Sequence, residues 1–138
     1  MDRCCDHDSA CVFANALRTR TAVCALSQRL ALAERDVLVC TSPVARTNCG
    51  TLAALLHERA RFALRLPPPG RPLVHAQALR LQCGGLTGLQ ASLGAAQPDV
   101  HRMVGQAQTL HGSLTELPWP QIVAAIVAWL PRQRGRPR

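Results

Sequence analysis

Seven cysteines stand in this 138-residue chain: Cys4, Cys5, Cys11, Cys24, Cys40, Cys49 and Cys83. A deprotonated cysteine is a nucleophile or a soft metal ligand, so the spacing of the seven decides which chemistry they could share. No C-x-x-C pair occurs. Zinc ribbons, zinc fingers, thioredoxin-type motifs and bacterial ferredoxins all bring their cysteines in such close pairs. An odd count is also a poor disulfide framework, and "MDRCCDHDSACVF" lacks the apolar run of a secretory leader. Both features point to the reducing cytoplasm. What remains is a set of dispersed single cysteines near expected turns and helix ends. An iron–sulfur cubane suits that arrangement, because a cluster takes its four thiolates from separate elements.

Cys24, Cys40, Cys49 and Cys83 are the expected ligands of a [4Fe–4S] cluster, with Cys11 in reserve and zinc as the alternative metal. These four lie in the patterned part of the chain, whereas Cys4 and Cys5 are vicinal within an acidic terminus. His7, in "CCDHDSAC", falls in the same terminus and reads as part of a solvated segment. Cys49-Gly50 falls where a helix is expected to begin, so free N–H groups and the helix dipole would favour a thiolate there. Cys83-Gly84-Gly85 offers backbone without side chains, able to approach a bulky cofactor and donate N–H bonds. Gly50, Gly84 and Gly85 are therefore the candidate cofactor-binding positions. Arg46 and Arg80 lie close in sequence and would balance the surplus thiolate charge, whichever metal is bound. A packing role competes with all of this, since free cysteine often serves as a small buried hydrophobe. Catalysis is disfavoured. Cys49 and His57 are eight residues apart, about 12 Å along one helix, and no phosphate loop, G-x-S-x-G or H-E-x-x-H is present.

The elements that must position these residues read as helices. Aromatics are few (Phe13, Phe62, Trp119, Trp129, no Tyr), which leaves Leu, Ala and Val to make the core and favours helix over strand. Val23, Leu26, Leu30, Ala33 and Val37 recur at steps of three and four, predicting a helix that runs towards Cys40. Pro43 is expected to stop it, and Thr47 or Asn48 to cap a second helix from about Cys49 to Leu66. "PPPGRP" (67–72) is a break. "LVHAQALRLQC" alternates in part like a strand, but its Ala and Gln content favours a helix, ended by Gly84-Gly85. Val100, Met103, Val104, Ala107 and Leu110 form an amphipathic helix closed by Gly112. Pro120 starts a last helix through Ile122, Val123, Ile126, Val127 and Leu130. It is apolar nearly all round and therefore central, and Pro131 ends it. The expectation is an all-α fold, one compact domain of five or six short helices. Its divisions are a flexible cysteine-containing segment at 1–20, a helical metal-binding domain at 21–131 and a disordered arginine-rich tail at 132–138.

Cys40, Cys49, "FALRLP", His75, "LQCGGL" and "LPWPQIV" together resemble small cysteine-containing bacterial proteins of no assigned function. The resemblance covers most of the chain beyond residue 20 and brings no catalytic motif with it. Charge says more about partners. The net charge is +8, carried wholly by arginine among the sixteen basic residues. Four of those arginines crowd into "RQRGRPR" at the C-terminus, so the basic character is largely local. With few aromatic faces for stacking, a nucleic-acid partner is disfavoured. A protein partner is expected instead. The competing class is a zinc-binding or metal-free adaptor whose arginine tail takes an acidic partner. The most apolar run, "IVAAIVAWL", has nine residues, well short of the roughly 20 a membrane-spanning helix needs.

Overall fold

Among the described residues, five helices and a β-hairpin follow one another along the chain. They are α1 (Ala14–Arg18), β1 (Ser27–Leu32), β2 (Arg35–Cys40), α2 (Pro43–Leu64), α3 (His75–Leu93), α4 (Val100–His111) and α5 (Trp119–Ala128), with a 3₁₀ turn at Leu114–Glu116 before α5. The structure is a computed structural model, and it describes residues 10–32 and 35–131. Cys4, Cys5, His7 and the arginine tail at 132–138 lie outside the described residues. The fold is thus mostly helical but not all-α. No described helix is long and apolar enough to cross a membrane.

The hairpin replaces the first expected helix. Leu30 and Val37, read as helical neighbours, are antiparallel cross-strand partners, and Ser27 pairs with Cys40. The β-branched Val37 and Val39 favour an extended backbone. A period of three to four across a short reversal imitates a helical stripe. Leu38 and Val39 are adjacent and both buried, so β2 is covered on both faces there and lacks the alternation that would mark a strand.

Pro43 starts a helix instead of stopping one. It occupies the first turn of α2, where its missing N–H costs nothing. The Ser42 hydroxyl caps that turn by accepting from the Ala45 N–H at 3.2 Å. Cys49 therefore lies in the second turn and not at the N-terminus. Likewise Gly84-Gly85 does not end α3, which runs on to Leu93 and closes at Gly94 in the left-handed conformation (φ 64°). The two glycines are packing positions. A Cβ on Gly84 would stand 2.7 Å from Ile126 Cα, one on Gly88 would stand 2.8 Å from Ala125 Cβ, and one on Gly85 would meet the Leu56 methyls. Bare backbone lets α5 lie directly on α3, the most extensive helix contact among the described residues.

α4 follows its patterning closely. Asp99 caps α4 by accepting from the Arg102 N–H at 3.1 Å, and Gly112 ends it. Val100, Met103, Val104 and Ala107 face the core, while Leu110 points outward. Ile122 and Ile126 of α5 are fully buried, yet Val127 and Leu130 are exposed, so the last helix covers the core on one face and does not sit at its centre. Residues 10–20, expected to be flexible, belong to the packed body: Phe13 is 1% exposed. A phenylalanine buries enough apolar area to hold a short segment in place.

Candidate functional site

Four cysteines from four separate segments line one pocket: Cys11, Cys24, Cys40 and Cys49. Each is half-buried, and each thiol is free. Val12, Phe13, Leu17 and Val100 supply apolar walls, and Ser27 and Arg46 complete the lining.

Backbone hydrogen bonds bring each cysteine there. Cys11 precedes α1, and its N–H donates to the Leu38 carbonyl at 2.9 Å. Ala10 bridges Val39, so this segment lies along the outer side of β2. Cys24 follows Val23, whose N–H donates to the Pro98 carbonyl and whose own carbonyl accepts from the Val100 N–H. The Asp99 carboxylate also accepts from the Ala25 N–H at 3.2 Å, so one acidic residue both caps α4 and holds the Cys24 loop. The Cys24 carbonyl then accepts from the Ser27 hydroxyl at 2.9 Å, turning the chain into β1. Cys40 closes β2, and its thiol donates to the Ser42 carbonyl at 3.3 Å. Cys49 lies on α2 one turn beyond Arg46, and a helical residue three positions on shares the same face.

The thiols sense one another. Burial raises the Cys49 pKa to about 12, with Cys24, Cys11 and Cys40 adding repulsion and Arg46 opposing them. Burial likewise pushes Cys11 up, countered by a backbone hydrogen bond at Phe13 and again by Arg46. Among the described residues, no group of three or more His, Cys, Asp or Glu side chains is disposed to hold a metal ion. A pocket shared by four thiols is therefore a different thing from a finished single-ion site. In a tetrahedral thiolate site with metal–sulfur bonds of about 2.3 Å, the sulfurs stand only about 3.8 Å apart.

Of the residues expected at the site, Cys24, Cys40 and Cys49 line this pocket and so does the reserve, Cys11. Cys83 does not. It is 0% exposed in the core on α3, with its sulfur 3.5 Å from the Thr19 hydroxyl. Gly84 and Gly85 are at the helix contacts described above, and Gly50 sits within α2 with open space around it. Arg80 is not part of the lining, whereas Arg46 is. His101 went unnoticed in the sequence; it lines a neighbouring cleft with Asn48, Gln108 and the other side of Cys49. His57 is engaged elsewhere, 2.9 Å from the Pro67 carbonyl.

The chain is thus a small helical protein with a β-hairpin and a four-thiol pocket. No protein-family model, curated protein or solved structure matches it.

Proposed function

We propose that this chain binds a [4Fe–4S] cluster through Cys11, Cys24, Cys40 and Cys49. It would serve in electron transfer, redox sensing or support of a larger iron–sulfur enzyme, in the reducing cytoplasm that keeps such thiols free. The observation that carries the reading is the convergence of four thiols from four segments on one apolar pocket beside a guanidinium. Packing as small hydrophobes does not require thiols to face one another, whereas a soft metal centre needs ligands brought to it from separate elements.

The donor set suits the group. Thiolates are the usual cluster ligands, and a cubane holds its ligands further apart than a single tetrahedral ion does. The space among the side chains is only about 10 Å³, about that of one water-sized sphere. The thiols must therefore swing outward about χ1, a change of rotamer that half-buried side chains can make. Cys40 gives up its bond to the Ser42 carbonyl in doing so. All four give up protons to solvent, and Arg46 offsets part of the charge they gain. Val12, Phe13, Leu17 and Val100 keep water from the site. When bound, the cluster supplies reversible one-electron chemistry.

Anaerobic purification followed by iron and acid-labile sulfide analysis tests the reading. A brown protein with about four of each per chain is expected for a cubane. Stoichiometric zinc without sulfide, or a colourless metal-free protein after anaerobic reconstitution, rejects it.

A further inference from the structure

Among the described residues, Arg46 is the one charged side chain lining the cysteine pocket. Its Nε–H donates to the Ala10 carbonyl at 2.7 Å, and Cys11 is the next residue. On the other side the Cys11 N–H donates to the Leu38 carbonyl. One guanidinium thus fastens the segment carrying Cys11 to the helix carrying Cys49, while β2 holds that segment from behind. The same positive charge lies within electrostatic reach of both thiols.

We propose that Arg46 is a positioning residue of this site with two separable parts: its Nε–H clamps the Cys11 segment onto α2, and its charge raises the reduction potential of the bound cluster. The second part rests on the cluster reading above, and the first does not. Reduction adds one negative charge to a centre that four thiolates already make negative. A nearby guanidinium stabilises the reduced form more than the oxidised form, most strongly where apolar walls exclude water. Lysine would keep that charge on a flexible stem, whereas glutamine would remove it.

Two measurements separate the parts. On metal-free protein, hydrogen exchange at the Cys11 amide should be faster in Arg46→Ala on the order of tenfold, the weight of one hydrogen bond to a charged donor. Amides in the middle of α3 should be unchanged. On protein reconstituted anaerobically with ferrous iron and sulfide, Arg46→Gln should hold the cluster at a more negative midpoint potential than wild type, and Arg46→Lys should restore most of the difference. Unchanged exchange at Cys11 overturns the clamp. Equal potentials in the wild type, Gln and Lys forms overturn the electrostatic part. A wild-type chain that takes up neither iron nor sulfide overturns the cluster reading and the electrostatic part with it, while the exchange measurement still decides the clamp.

Discussion

Burial holds the Cys49 thiol at about 12 and pushes Cys11 up as well, which fixes how the metal-free chain should respond to alkali. In the unfolded chain a cysteine loses its proton near its ordinary value of 9.0. In the folded chain Cys49 keeps it to higher pH, so above pH 9 the folded state binds more protons than the unfolded one. Stability from this group is complete below pH 9 and falls as pH rises towards 12. The chain has no Lys and no Tyr to titrate in that window, so its thiols dominate it. The thermal midpoint of metal-free protein should decline between pH 9 and 12, and Cys49→Ser should flatten that decline; an equally steep decline in the variant would contradict it. Single Cys→Ser changes at positions 11, 24, 40 and 49 should each remove most of the cluster absorbance, since a hydroxyl is a poor substitute for the soft thiolate. Cys83→Ser should lower the melting temperature and leave the metal content intact. If Cys83→Ser bleaches the protein and Cys11→Ser does not, the ligand assignment is wrong. From the sequence, Cys83 is expected as a ligand and Cys11 is held in reserve, whereas Cys11 lines the pocket and Cys83 lies in the core. One signal was available: Cys83 lies at helical spacing between Leu79 and Leu86, on a core-facing stripe. Nothing local could show that Phe13 anchors Cys11 from a short terminal segment.

Two elements misread in the sequence are the ones that build the site. The hairpin and the start of α2 were hidden because local periodicity and a proline each allow two readings, and tertiary packing chooses between them. Ser42-Pro43 is a helix start wherever the serine can cap and the proline can take the first turn. The glycines were misread for a different reason. Bare backbone suits a cofactor and a close helix equally well, and only the position of α5 decides. The consequences are opposite at different glycines. Gly88→Val should cost about 1–3 kcal/mol or more by overpacking α5, because Ala125 and the Ile122 backbone block the added atoms. Gly50→Ala meets nothing within 4 Å and should stabilise α2 by about 0.5–1 kcal/mol through helix propensity. Denaturant melts of both variants check the pair. A destabilised Gly50→Ala with reduced iron content would return that glycine to the cofactor site.

At the scale of the molecule, the site's thiols and most of the core draw on different parts of the chain, with Phe13 and Val100 shared by both. The four pocket cysteines all precede residue 50, whereas Leu52, Leu56, Leu86, Leu89, Met103, Ile122 and Ile126 make a nearly solvent-free core among α2, α3, α4 and α5. None of those seven lines the cysteine pocket. Small metal-dependent folds such as zinc fingers have no core to fall back on and unfold without their ion. This chain is long enough to bury a core without such a staple. Ligand loss should therefore loosen one end of the molecule and spare the rest. The variant with serine at positions 11, 24, 40 and 49 together should keep a helix-dominated far-ultraviolet circular dichroism spectrum and a cooperative melt. Its hydrogen exchange should accelerate across residues 10–41 and remain slow in the middle of α3. Phe13 and Ala16 pack into the common core, so α1 should stay protected longer than the Cys24 loop. Loss of the cooperative melt in this variant would mean that the four thiols hold the fold itself, and that core and site are one unit.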